Sequence, residues 1–484
     1  MTADLAPLER YRPLVDDWDA FRAALARPLP VTVWSNTLRA RAAEVAAWLR
    51  ADGLEPAEIA WRPGAFRLPA EVAPGGLLAT SAGLIHVQEE VSLLPVALLD
   101  PRPGERILDL CAAPGGKSAL IAVALGHRGT VVANDVDWRR LITMGRTLQR
   151  LGLANVALTA WDGATFPESG GLYDRVLADV PCTCEGTSRK NPGVLAWGGE
   201  EERTRTVRTQ RAILAKAVRL CRPGGRIVYS TCTYAPEENE AVVDDVLRSA
   251  GARALRVVEA RRIGFRAAPG LAGWQGRSFD PSLARALRVW PHAHDTGGFF
   301  VAVLEKLAPA RQAPPEGPRG ERARRAAELH PLGEVEPAVR RAHLDHLDER
   351  FGFPEGTFDE LALVRQGKEK LVAVPRGLAV PAHPAPRALG LPLLYADMRN
   401  PKLTTAAAMA FGARARSNAV ELDRPRLDDY LARRDVALTA EEAAACTGDG
   451  YALVRHRGAC LGVAWYRAAP GGGGSLRSLF PKRW

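Results

Sequence analysis

Cys182 stands in Asp179-Val180-Pro181-Cys182, and Cys232 stands in Tyr229-Ser230-Thr231-Cys232-Thr233. Each follows an apolar run that reads as a strand, Arg175-Val176-Leu177-Ala178 before the first and Arg226-Ile227-Val228-Tyr229 before the second. The strand ends of a parallel α/β sheet open onto the ligand crevice. A thiol placed there acts as a nucleophile once its pKa is lowered. Two thiols at two such ends suggest covalent catalysis with a second thiol assisting. A free cysteine is also at home as a small buried hydrophobe, so the pair's neighbours must decide between the two roles.

The next chemistry-bearing stretch is Cys111-Ala112-Ala113-Pro114-Gly115-Gly116-Lys117-Ser118, which follows Ile107-Leu108-Asp109-Leu110 and leads into a helix to about Leu125. A strand, a glycine-rich turn and a helix start let backbone approach a ligand closely and present free N–H groups. A phosphate-binding P-loop would need glycine where Cys111 stands, so that reading fails, and the absence of Gly-x-Gly-x-x-Gly weakens a nicotinamide or flavin reading. Asp135 follows the second strand, placed for the ribose hydroxyls of an adenosine-containing cofactor. Asp162, after the third strand, is placed for the adenine edge, although either aspartate could instead cap a helix. A glycine-rich turn with acidic residues after strands two, three and four is similar to the pattern of S-adenosylmethionine-dependent methyltransferases. Cys111 through Lys117, Asp135, Asp162 and Asp179 are therefore the expected cofactor-binding residues.

The elements that must position these residues alternate as in a doubly wound parallel sheet. Strands are expected at Arg106–Leu110, Thr130–Asn134, Val156–Ala160, Arg175–Ala178, Arg226–Ser230 and Phe299–Leu304. Leu141, Met144, Leu148 and Leu151 form an apolar stripe, which predicts a helix over Trp138–Leu151. A small α/β segment precedes this unit, with a helix over Asp17–Ala26, a strand over Val31–Trp34 and a helix over Arg39–Leu54. Pro74-Gly75-Gly76 then punctuates the chain. Pro, Arg, Ala and Gly dominate the stretch after Lys306, which reads as a basic linker. The expected domains are 1–75 (N-terminal α/β, RNA-binding), 76–306 (methyltransferase), 307–328 (linker) and 329–484 (C-terminal α+β). Near the end, Gly450–Arg455 and Gly458–Tyr466 read as a hairpin from a small barrel.

A formal charge of +10 favours a polyanionic partner such as nucleic acid. The run Arg203, Arg205, Arg208, Arg211, Lys216, Arg219, Arg222 is one candidate contact face, and the linker arginines are another. Seven cysteines without a CxxC pair form neither a disulfide framework nor a usual zinc site, so no metal is expected. Cys182-x-Cys184 is too tight for the usual ligand pair and has no partners in sequence. No signal peptide or apolar run of membrane-spanning length is present, so a cytoplasmic protein with no membrane association is expected.

Leu-Asp-Leu-Cys-Ala-Ala-Pro-Gly-Gly-Lys (108–117), Asp-Val-Pro-Cys-Thr (179–183) and Ser-Thr-Cys-Thr (230–233) together resemble the RNA cytosine-C5 methyltransferases of the NOL/NOP/Sun family. Gln88–Pro95, Arg189-Lys190-Asn191-Pro192, Pro236–Glu240 and Thr296–Phe300 fit its other motifs. The resemblance implies a Rossmann-like methyltransferase sheet, S-adenosylmethionine as cofactor and a covalent adduct between cysteine and C6 of the base. By the same resemblance, Cys232 is the nucleophile and Cys182 assists product release. Asp179 holds the cytosine edge, the cofactor side or both, and Lys190 contacts the target nucleotide. The C-terminal extension resembles that of bacterial enzymes acting on 16S ribosomal RNA near the decoding centre, with a PUA-like RNA-binding module. That implies ribosomal RNA or an assembly intermediate as partner, with the enzyme acting as a monomer. The alternatives are a transfer RNA methyltransferase and a non-catalytic assembly factor that binds ribosomal RNA, against which the intact Cys182, Cys232 and cofactor loop argue. Two departures stand out. Trp34 replaces the arginine usual before Ser35-Asn36-Thr37-Leu38. Pro181-Cys182-Thr183-Cys184-Glu185-Gly186 replaces the commoner Pro-Cys-Ser-Gly-Glu-Gly, so that Cys184 stands in place of glycine, which reads as a packing substitution.

Overall fold

The structure is a computed structural model that describes residues 5–168, 171–196, 199–251, 254–260, 263–308, 332–367, 369–396, 398 and 400–482. Apart from its first two positions, the expected linker 307–328 lies outside the described residues.

The strands bearing the two cysteines lie side by side in one large mixed sheet. Across it run Phe299–Lys306, Cys221–Thr231, Tyr173–Asp179, Arg106–Asp109, Thr130–Asn134 and Val156–Thr159. Phe299–Lys306 is antiparallel to its neighbour, and the other pairings among these strands are parallel. Central parallel strands are covered on both faces and so read as continuous apolar runs. All six expected strands form. Cys221–Thr231 begins before the expected Arg226 because Cys221 pairs with Tyr173 beyond a register shift. The helix Trp138–Leu151 forms where its stripe predicts, with Asp137 accepting from the Arg139 amide at one end and Gly152 in the left-handed region at the other.

The N-terminal region divides between two packing partners. The turns of Ala6–Leu14 and the helix Trp18–Leu25 place Leu8, Tyr11 and Phe21 against Tyr234 and Trp290 of the methyltransferase unit. Beyond them a four-stranded sheet orders Ala57–Glu58, Ala65–Leu68, Val31–Ser35 and Ile85–Val87. Val33–Ser35 pairs with Ile85–Val87, so this sheet extends past the boundary expected at residue 75. The helix expected over Arg39–Leu54 is shorter, Ala42–Ala51.

After a helix at Pro337–Phe351 come a four-stranded antiparallel sheet and a five-stranded sheet. The five-stranded sheet contains the expected hairpin, Gly450–His456 against Ala459–Ala468. This region is built into the rest of the chain. Ala388–Leu389 adds an antiparallel edge to Val156–Thr159. Val33, Leu49 and Phe66 share one apolar core with Tyr430, Leu461 and Tyr466. Arg39 spans the junction, donating to the Ala82 carbonyl at 2.6 Å and also to that of Met409. Among the described residues no helix is long and apolar enough to cross a membrane.

Candidate active site

Asp179 and Ser230 face each other in register at the ends of two parallel strands. The Ser230 hydroxyl donates to Asp179 Oδ1 at 2.7 Å, and the Lys117 ammonium donates to Oδ2 at 2.6 Å. Burial pulls the Lys117 pKa down, but Asp179 more than offsets this and the net direction is up, so the lysine stays charged. Just beyond, Cys182 Sγ and Cys232 Sγ lie 3.4 Å apart. Cys232 borders a cavity of about 430 Å³ that is also lined by Asp109, Asp179, Lys117 and the loop Cys111–Gly116. The structure thus brings the two cysteines, the glycine-rich loop and Asp179 to one place.

A buried polar network beneath the cysteines holds their loops together. Thr183 and Thr233, each following a cysteine, join their hydroxyls at 2.8 Å. The Thr183 oxygen is 2.6 Å from Glu238 Oε1, and the Thr233 oxygen is 2.9 Å from Glu185 Oε2. These three contacts need three hydrogens, and two hydroxyls supply only two. Glu238 Oε2 already accepts from the Thr183 amide and the Gln210 side chain, and Glu185 Oε2 accepts from the Tyr11 hydroxyl. The third proton therefore belongs on Glu238, whose pKa burial raises. The chain of bonds runs from the Glu238 carboxyl through Thr183 and Thr233 to the Glu185 carboxylate. Gly186 completes the clamp, donating to the Cys232 carbonyl at 2.9 Å. A Cβ on Gly186 would stand 2.3 Å from the Gly298 carbonyl oxygen.

Cys184 joins the pair as a third sulfur, 3.9 Å from Cys182 Sγ, and its thiol donates to the Cys182 carbonyl. The three thiols ionise as a unit. Hydrogen bonds from its two neighbours draw Cys184 down. Cys182 is pushed up by its bonds to those neighbours and by burial. For Cys232 the bond with Cys182 lowers the pKa, but Cys184 and burial outweigh it and the net direction is up. The pair that had no partner in sequence acquires Cys232 through the fold.

The expected cofactor residues take different positions. Gly115 has φ 105, and a Cβ there would meet Met144 Cγ at 2.5 Å, so only glycine fits this turn. Asp135 accepts from the amides of Ala113 at 3.1 Å and Asp137 at 3.0 Å, so its carboxylate braces the loop from behind. Asp162 caps the turn Gly163–Thr165 by accepting from the Ala164 amide. Neither aspartate lines the cavity, which instead reaches Asp109. Asp109 Oδ2 accepts from the Ser118 hydroxyl at 2.6 Å, whereas buried Oδ1 has no hydrogen-bond partner among the described residues. Burial pushes the Asp109 pKa up to about 7. An unpartnered carboxylate oxygen beside an open glycine turn fits the cationic amino-acid end of S-adenosylmethionine. Glu89 also lines the cavity, accepts from the Gly297 amide at 2.9 Å and is pushed up to about 7 by burial. Both acids lie within motifs quoted above, but only the fold shows that they face the cavity. Lys190 is exposed on its rim. Of the basic run, Arg203, Arg211, Lys216, Arg219 and Arg222 are paired with carboxylates of this chain, which reduces what that face offers to RNA.

Residues 96–305 match the family model described as 16S rRNA methyltransferase RsmB/F. The tRNA (cytosine(49)-C(5))-methyltransferase of Pyrococcus abyssi is 34% identical over 301 residues, 62% of this chain and 95% of that one. The chain belongs to the RsmB/F family of S-adenosylmethionine-dependent RNA (cytosine-5) methyltransferases. Ribosomal RNA small subunit methyltransferase F of Shewanella loihica is 29% identical over 473 residues, 96% of this chain and 91% of that one. Among solved structures, a methyltransferase homolog protein from Pyrococcus horikoshii matches with a TM-score of 0.54 and 28% identity, covering 63% of this chain and 100% of that one. Trp34, which stands in place of the family's usual arginine, is buried and donates to Gln88 Oε1 at 3.0 Å.

Two predictions test this geometry. A carboxyl whose folded-state pKa is raised favours the fold while protonated, and that contribution is lost as pH rises through the raised pKa. Glu238→Gln keeps a donor toward Thr183, so it is expected to be as stable as the parent at pH 4.5, the carboxyl's ordinary value, and more stable at pH 9. Glu238→Ala should lose about 1–3 kcal/mol at pH 4.5. Urea unfolding at both pH values checks this, and a Glu238→Gln variant destabilised equally at both would contradict the proton count. Asp109 must ionise to hold a cation, so affinity for S-adenosylhomocysteine should rise between pH 5.5 and 7, by up to about tenfold per unit. Calorimetric titration should show that Asp109→Asn binds more weakly and that its affinity is flat across the same range.

Proposed function

We propose that this enzyme methylates C5 of cytosine in 16S ribosomal RNA, near the decoding centre, through a covalent bond between Cys232 and C6 of the base. The observation that carries the mechanism is the 3.4 Å pairing of Cys232 with Cys182 at the wall of the cofactor cavity. The similarity to a small subunit methyltransferase over 96% of the chain supports the substrate. The tRNA-modifying relative matches only 62% of the chain.

C5 of cytosine is a poor nucleophile. Adding the Cys232 thiolate to C6 forms an S–C6 bond and moves electron density to C5. Asp179, oriented by Ser230 and Lys117, accepts from the base's exocyclic amino group. Bound S-adenosylmethionine supplies an electrophilic methyl group. Asp109 and the backbone of Cys111–Lys117 would hold it, with Asp135 bracing the loop. Once C5 carries the methyl, loss of the C5 proton and cleavage of S–C6 restore the aromatic ring and the Cys232 thiolate. Cys182 assists this release. A base inside a helix cannot reach Cys232, so the target must be unstacked. Lys190 at the rim and the C-terminal hairpin, read as part of a PUA-like module, would guide it. The enzyme would act as a monomer, and a bacterial-type ribosomal RNA substrate would place it in the cytoplasm.

Cys232→Ala should abolish methylation while retaining cofactor binding. Cys182→Ala should accumulate a denaturant-resistant protein–RNA adduct, visible as a gel shift. Full activity in the first variant would overturn the nucleophile's assignment, and no adduct in the second would overturn the release role. Bisulfite mapping in a deletion strain should show unmethylated cytosine in 16S ribosomal RNA; a loss confined to transfer RNA would favour the other substrate.

A further inference from the structure

Cys184 is not required by the proposed chemistry, yet the fold places it with the two thiols that are. The sulfurs of Cys182, Cys184 and Cys232 all lie within 4.8 Å of one another, and no other such group of metal-ligating side chains occurs among the described residues. Tetrahedral zinc with thiolates at about 2.3 Å separates its sulfurs by about 3.8 Å. The Cys182–Cys232 and Cys182–Cys184 separations of 3.4 Å and 3.9 Å bracket that value, and the third pair lies within 4.8 Å. Cys184 has φ 60, a left-handed conformation that turns the chain between Cys182 and the helical turn Glu185–Thr187. The bonds beneath, through Thr183 and Thr233, hold the Cys182 and Cys232 loops in this arrangement whether or not an ion is bound.

We propose that Cys182, Cys184 and Cys232 form a three-sulfur site for a thiophilic dication of the zinc class, which reversibly masks the nucleophile. The donor set selects the ion, because thiolates favour zinc and cadmium over calcium or magnesium. Binding forms three metal–sulfur bonds, and each sulfur still protonated gives up its proton to solvent. Cys232 borders the cavity, so water entering there completes the coordination. With its lone pair donated to the ion, Cys232 no longer attacks carbon. This inhibitory consequence rests on Cys232 being the nucleophile, whereas the binding itself does not.

The test titrates the reduced, metal-free full chain with cadmium alone and follows the ultraviolet thiolate-to-metal charge-transfer band. One ion per chain is expected, with affinity falling at least tenfold in Cys184→Ser and unchanged in Cys446→Ser. Circular dichroism of each variant checks that it is folded. No saturable band, or Cys184→Ser binding as tightly as the parent, would overturn the site. Zinc should also stop methylation, and a chelator should restore it. Stoichiometric cadmium binding with methylation intact would uphold the site and refute the nucleophile's assignment.

Discussion

The parallel pairing of Tyr173–Asp179 with Cys221–Thr231 is the constraint on which the site depends. Register puts Asp179 opposite Ser230, and the loops that leave those strands carry cysteines two to three residues further on. Strand pairing alone would leave two loop thiols free to drift. The link from Glu238 through Thr183 and Thr233 to Glu185 is what ties them, and it closes only if one carboxyl keeps its proton. Buried polar networks of this kind specify a single arrangement when every member is satisfied, and are costly otherwise. Gly186 adds a steric condition, because any side chain there would push against Gly298 and the Cys232 carbonyl.

The regions flanking the methyltransferase sheet are continuous with it. The first turns and helix of the chain buttress Tyr234, two residues past Cys232, while the small N-terminal sheet shares its core with the C-terminal five-stranded sheet. Ala388–Leu389 extends the catalytic sheet itself at its far edge. An RNA gripped by the outer units would therefore be held in a fixed relation to the cavity, as looping out a single base demands.

Much of this was legible in the sequence for identifiable reasons. Parallel strands buried on both faces leave uninterrupted apolar runs, so the strand positions followed directly, and the stripe Leu141, Met144, Leu148, Leu151 marked its helix. The cofactor loop was legible because glycine at φ 105 is a conformational requirement. The aspartates were harder. An acid after a strand can face a ligand or cap the next turn, and Asp162 caps. Asp109 read as part of a strand end, and only its place in the cavity lining marks it as a ligand-facing acid. The basic run on Glu200–Leu220 suggested an RNA face, but its charges meet carboxylates distant in sequence, such as Glu168 and Asp245. Cys184 had no partner in sequence because Cys232, its third sulfur, comes from another strand end.

The central claim is that Cys232, not Cys182, bonds to the base. RNA carrying 5-fluorocytosine at the target tests it directly, because fluorine at C5 cannot leave as a proton and the S–C6 bond persists. Trypsin would separate the two candidates, releasing Val176–Arg189 with Cys182 and Ile227–Arg248 with Cys232. Mass spectrometry of the trapped complex should find the nucleotide on the second peptide. Nucleotide on the first would reverse the roles of the two thiols and contradict the account.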